Sequence, residues 1–149
     1  MDLKLNLEIS QIMKIIINSI TIAVYFLGTQ LFAGIHEVNN DEIIILMGKG
    51  IPLIDIRTKS EWHQTGVIKK SKLLTFFDKD GNYNIEEWTS KLKKIANNKD
   101  PVIIICRSGR RSRIVANHLD QKLLYSTVFH ATNGILSWID DNKITIKPD

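Results

Sequence analysis

The sequence predicts an α/β domain built on a mainly parallel sheet with helices on both faces. Three observations lead there. Apolar runs of strand length alternate with helical stretches of about ten residues, as a parallel sheet requires, because its crossovers are usually helices. The run PVIIIC, from Pro101 to Cys106, is apolar on both faces and so belongs at the centre of a sheet. The composition is that of a globular chain: 149 residues, 44% hydrophobic and 24% charged. That excludes a disordered or collagen-like protein.

Residues 1–33 stand outside the alternation. Lys4 and Lys14 precede a stretch from Ile15 to Ile35 that carries no charge, and polar sequence, HEVNNDE, follows at once. From Met13 onward the order is a short basic region, an apolar region and a small residue at Ala33. That is the layout of a secretory signal peptide, with Met13 its more ordinary start. Cleavage is expected after Ala33, although Leu31 is bulkier than such sites prefer. The alternative is an uncleaved membrane anchor, since the uncharged run is long enough to cross about 30 Å of hydrocarbon. A buried core helix fits less well, because Asn18, Ser19, Thr21, Thr29 and Gln30 share no polar face. Either export reading puts the folded domain, residues 34–149, in the periplasm or outside the cell. Membrane contact is expected only if the segment stays attached.

Within the domain, Asn40-Asp41 as a cap, then EIIILMG, then Gly48 and Gly50 as stop signals read as a short helix. IPLIDIR (Ile51 to Arg57) is a strand ending in the charges of Asp55 and Arg57. Ser60-Glu61-Trp62 opens a second short helix that Gly66 ends. KLLTFF (Lys72 to Phe77) is strand-sized. DKDGN (Asp78 to Asn82) is a turn; with no Glu at a twelfth position it is not a calcium loop. Ile85, Trp88, Leu92 and Ile95 fall on one face of a helix capped by Asn84. After the PVIIIC strand, Ser112 to Leu124 is helical, with Ile114, Val115, Leu119 and Leu123 on one side. STVFHA (Ser126 to Ala131) is a further strand, and Asn133-Gly134 turns into a last short helix, ILSWIDDN.

Charge and cysteine count narrow the function. Twenty basic against sixteen acidic side chains give +4, too mild for a dedicated nucleic-acid binder. A single cysteine allows no intramolecular disulfide and no Cys₄ or Cys₂His₂ zinc site. His36, His63, His118 and His130 lack metal-ligand spacing, and His118 and His130 read as packing or surface residues. No metal and no organic cofactor is expected.

Chemistry concentrates after the central strand. Cys106 stands at its carboxyl end, where open α/β sheets bind ligands. Arg107, Ser108, Gly109, Arg110 and Arg111 follow, and Ser112 is read as the cap of the next helix. Gly109 permits the positive φ that lets successive amides converge as an anion nest. The helix start aims its positive end at the same place. Arg107, Arg110, Arg111 and Arg113 add guanidinium groups, though Arg113 reads as a solvated residue of the helix proper. Each feature favours a thiolate and would hold an anionic substrate.

LIDIRTKSEW, TGVI, CRSGRRS and NGILSWIDDNKITI, in that order, resemble the successive motifs of the single-domain rhodaneses, thiosulfate:thiol or cyanide sulfurtransferases. The resemblance spans about Ile43 to Ile146. It implies a rhodanese-like fold with a five-stranded sheet and a persulfide carried on Cys106, with the amides of Arg107 to Arg111 around its outer sulfur. Asp55 and Arg57 would be the acidic and basic pair ending an early strand, Glu61 the acidic residue of the next helix, and Trp138 the aromatic of the last motif. The chain departs from the family at Thr65-Gly66-Val67-Ile68, where Gly-His-Ile is common, and at Asn133-Gly134, where two glycines are common. The implied partners are a small anionic donor such as thiosulfate or a persulfide, and a thiol or cyanide acceptor. A persulfide carrier serving a sulfur-accepting protein is the non-enzymatic alternative. A phosphatase or arsenate-reductase-like enzyme is the third. The related dual-specificity phosphatases use Cys-x5-Arg, and that arginine position is Ser112 here, which favours sulfur over phosphate.

Overall fold

The computed structural model describes residues 34–148, together with Gln11, Met13, Lys14 and Ile16 in a helical stretch. The signal-peptide and anchor readings fall on residues 1–33, essentially outside the described residues. No helix among the described residues is long and apolar enough to cross a membrane.

Strands and helices alternate in the order β1 (Gly34–Val38), α1 (Asn40–Gly48), β2 (Leu53–Asp55), α2 (Lys59–Thr65), β3 (Lys72–Leu73), α3 (Ile85–Leu92), β4 (Val102–Ile105), α4 (Arg110–Gln121), β5 (Thr127–Ala131) and α5 (Gly134–Asp140). The strands form one five-stranded sheet in the spatial order β1-β5-β4-β2-β3. Every neighbouring pair in it is parallel. All five strands therefore end along the same edge.

The unbroken apolar run of β4 has a simple cause. Side chains alternate across a strand, and here both faces are covered. Val102, Ile104 and Cys106 join Ile54, Ile56, Val115, Leu119, Trp88 and Leu92 in one core, beneath α3 and α4. Ile103 and Ile105 join Leu53, Phe129, Ile43, Ile135 and Trp138 in the other, beneath α1 and α5.

Several elements differ from the sequence expectations. Gly34–Val38, read as the end of the uncharged run and the start of the polar sequence after it, is edge strand β1 and pairs with β5. It shows no apolar alternation because only Val38 is buried. The strands expected at 51–57 and 72–77 shrink to Leu53–Asp55 and Lys72–Leu73. The chain beyond β3 still runs beside β2, with Leu74 N–H on Asp55 O at 3.0 Å and Phe76 N–H on Ile56 O at 3.1 Å. The cap of α1 is Asn39 rather than Asn40 or Asp41, in a reciprocal box with Glu42. Asn84 caps α3 as expected, but that helix ends at Leu92, before Ile95. On α4, Val115 and Leu119 are buried, whereas Ile114 is exposed. Ile114 is one residue, about 100° of helix, from Val115 and so falls off the buried face; the helix also begins two residues earlier than expected, at Arg110.

The tail closes on the domain through one side chain and one backbone bridge. Trp138 donates its indole N–H to Ile144 O at 3.1 Å. Val67 and Ile146 form an antiparallel bridge. Trp138 is thus a packing residue that fixes the end of the chain.

Candidate active site

Cys106 is the residue after β4 and is 1% exposed. The chain turns back over it in three residues and enters α4. Gly109 makes that turn, with φ 88° in the left-handed region, and it, not Ser112, is the N-cap. Ser112 lies inside the first turn of α4, so its capping role is corrected. A side chain at Gly109 is excluded twice over: by its φ, and by Thr132 O, which an added Cβ would meet at 1.7 Å. Gly134 is also close on the other side, where an added Cβ would meet Cys106 O and Arg107 O at 2.5 Å.

That close approach organises the loop. At the start of α5, Ile135 N–H donates to Cys106 O at 2.9 Å and Leu136 N–H to Arg107 O at 3.1 Å. In a trans peptide the N–H points opposite to the C=O. With these two carbonyls held toward α5, the amides of Arg107 and Ser108 point away from it. The uncapped start of α4 adds further amides, since the first turn of a helix leaves its N–H groups without internal partners. Arg107, Ser108 and Arg110 are exposed around this cradle, while Gly109 is buried.

Arg111 closes one wall. Its two terminal nitrogens bind Glu61 of α2, Nη1 to Oε2 at 3.0 Å and Nη2 to Oε1 at 2.5 Å. Burial works to raise the Glu61 carboxyl. Its hydrogen bonds to Arg111 and Thr58 and the Arg111 charge outweigh this, pulling it from 4.5 to about 2. The Arg111 guanidinium is pushed up in turn by its hydrogen bond to Glu61, against partial burial, with the Glu61 charge and the adjacent Cys106 sulfur adding to the effect. Arg113 pairs instead with Glu37 of β1.

Asp55 and Arg57 lie outside the cradle. Both are buried, and Arg57 spends its guanidinium inside the protein. Its Nε and Nη2 bind Asp55 at 2.9 and 2.6 Å, Nη1 binds Thr65 Oγ1 at 2.6 Å, and Nη2 also binds Gly66 O at 2.9 Å. This network ties the end of β2 to the C-terminal end of α2, and Nη1 also approaches Glu61 O at 3.5 Å, which helps set where Glu61 stands. Thr65 supplies a hydroxyl to the network at one of the positions where the chain departs from the family pattern.

Sequence reasoning missed two participants. Thr58 caps α2 in a reciprocal box with Glu61, and the spacing Thr58-x-x-Glu61 was a readable signal for it. His130 of β5 is fully buried and 3.1 Å from the Ser112 hydroxyl through Nδ1. No local pattern links those two positions.

The family model of the rhodanese-like domain matches residues 33–141. The chain belongs to the rhodanese-like domain family. Among its relatives is an uncharacterised protein of Rickettsia prowazekii, 27% identical over 95 residues that cover 61% of this chain and 74% of that protein. The polysulfide-sulfur transferase homodimer of Wolinella succinogenes superposes with a TM-score of 0.58 at 15% identity, over 88% of this chain and 90% of that one. A rhodanese-related protein of Thermoplasma volcanium gives 0.56 at 22% identity, over 76% and 99%. These likenesses establish the rhodanese-like fold, a five-stranded parallel sheet between two helical layers.

Proposed function

We propose that the domain is a sulfurtransferase that moves sulfane sulfur from a small anionic donor, such as thiosulfate, to a thiol or cyanide through Cys106. The thiolate attacks the outer sulfur of the donor, a new S–S bond forms, and sulfite leaves with the electrons of the old one. The acceptor then attacks the outer sulfur, and the Cys106 thiolate is the leaving group. Amides of the 107–111 loop stabilise the anionic persulfide, while exposed Arg107 and Arg110 draw in the donor.

The observation that carries this reading is the size of the cradle. Only Arg107, Ser108 and Gly109 separate Cys106 from α4, which suits a single sulfur atom. Phosphate chemistry would want a guanidinium at Ser112, but that side chain is buried and bonded to Gly109 O and His130. Arg111, one position earlier, is committed to Glu61. The class named for the Wolinella protein, polysulfide-sulfur transferase, agrees with this choice. The test is turnover: thiosulfate and cyanide should give thiocyanate catalytically, and p-nitrophenyl phosphate should not be hydrolysed. Faster hydrolysis than sulfur transfer would return the loop to the phosphatase reading. Loading of one sulfur without turnover would indicate a carrier for a partner protein.

The uncharged run from Ile15 to Ile35 supports export, with the domain outside the cytoplasm after cleavage near Ala33 or on a retained anchor. Cell fractionation with mass analysis of the N-terminus tests this, and an intact chain soluble in the cytoplasm would refute it.

A further inference from the structure

Beneath the loop lies a buried polar pair that the chemistry above does not use. We infer that Ser112 and His130 are positioning residues for the persulfide cradle: His130 fixes the Ser112 hydroxyl, which holds the Gly109 carbonyl and thereby aims the Arg110 amide at the outer sulfur. The inference rests on the sulfurtransferase reading and adds two residues to it.

The geometry is specific. Ser112 Oγ donates to Gly109 O at 3.0 Å and lies 3.1 Å from His130 Nδ1, and neither residue is exposed. A hydroxyl has one proton. With that proton on Gly109 O, the bond to His130 must run the other way, from Nδ1–H to Oγ. The imidazole is neutral at neutral pH: burial and then the Arg113 charge push it below its ordinary value, with Glu37 opposing weakly. A neutral ring protonated on Nδ1 leaves Nε2 as a bare acceptor, and Nε2 has no hydrogen-bond partner among the described residues.

That orphan nitrogen is informative. His130 sits on β5 between Glu37 of β1 and Ile104 of β4. An apolar side chain at this interior position would leave no nitrogen unpaired. What the imidazole supplies there is the Nδ1 contact to Ser112.

The consequence reaches the cradle through one peptide plane. Gly109 O accepts from Ser112 Oγ and also from Arg113 N–H at 3.0 Å. Two donors on one carbonyl fix the Gly109–Arg110 peptide, and its trans geometry points Arg110 N–H the opposite way. The start of α5 does the same for Arg107 and Ser108. Three amides are therefore aimed by hydrogen bonds on the carbonyls opposite them, and the Ser112–His130 pair controls the third.

The test is the rate of persulfide formation on Cys106, followed by rapid quenching and mass spectrometry over a range of thiosulfate concentrations. The proteins compared are the wild type, Ser112→Ala, His130→Leu, His130→Asn and the double variant Ser112→Ala/His130→Leu, with thermal melts to confirm folding. Losing the aim of one oxyanion-type donor should slow the limiting rate about tenfold in Ser112→Ala and His130→Leu. The half-saturating thiosulfate concentration should not move, because the exposed arginines are intact. His130→Asn keeps a side-chain amide N–H near the Nδ1 position and should recover to within about threefold of wild type. The double variant should be no slower than Ser112→Ala alone, because His130 acts through Ser112. If His130→Leu does not fold, Ser112→Ala and His130→Asn still decide. Folded Ser112→Ala loading at the wild-type rate would overturn the inference, as would a double variant whose loss is the product of the two single losses. A wild-type chain that never gains sulfur would overturn the sulfurtransferase reading, and this inference with it.

Discussion

Glu61→Gln keeps the size of the side chain and removes one charge from the bridge between α2 and α4. Its effect can be worked from the pair itself. The Glu61 carboxyl is held at about 2 rather than 4.5. At ~1.36 kcal/mol per pH unit, that difference bounds the stabilisation at roughly 3.4 kcal/mol. The side chains of Arg111 and Glu61 retain 25% and 19% exposure, so water screens the pair and the realised value should be about 1–2 kcal/mol. Because the folded value lies below the unfolded one, the stabilisation is fully present above pH 4.5 and disappears as pH falls toward 2. Urea unfolding of wild type and variant at a series of pH values measures this directly. The variant should be weaker by about 1–2 kcal/mol at neutral pH, with the gap closing as pH drops through that window. Sulfur loading should also slow, since Arg111 lies beside the Cys106 sulfur and its guanidinium would keep one neutral acceptor in place of two charged oxygens. A stability difference that is absent at neutral pH, or that stays constant down to pH 2, would refute the reasoning.

Gly109→Ala should unfold or strongly destabilise the domain, by about 3 kcal/mol or more, because a left-handed φ and a collision with Thr132 O act together; chemical denaturation reads this, and a variant within 1 kcal/mol of wild type would contradict the loop geometry. The pair Arg107→Ala and Arg110→Ala should fold normally, since both side chains are exposed. Each should raise the half-saturating concentration of thiosulfate about two- to tenfold at low salt, with a smaller effect at high salt. Steady-state kinetics at two ionic strengths check it, and an unchanged donor dependence would remove these arginines from the site.

The parts of the fold legible in the sequence were those with a single physical cause. A strand buried on both faces can only read as PVIIIC, and its carboxyl end then locates Cys106. The Asp55–Arg57 pair was visible as charge at a strand end. Its work was not: Arg57 reaches Thr65 and Gly66, eight and nine residues on, and position alone does not tell a buried brace from a substrate ligand. Ser112 offered a good capping side chain. The tightness of the turn let Gly109 take the cap and drew Ser112 into the interior. Strand β1 and the His130 contact were invisible for a shared reason, since both are defined by partners far along the chain. A half-exposed edge strand carries little apolar signal of its own.

The central claim is that Cys106 takes up one sulfur atom. Intact-mass spectrometry of the protein after brief exposure to thiosulfate tests it most directly, with Cys106→Ser as the control. The account predicts a mass gain of a single sulfur on the wild type, reversed by cyanide, and none on the variant. A wild-type protein that gains no sulfur, or a Cys106→Ser variant that gains it equally, would contradict it.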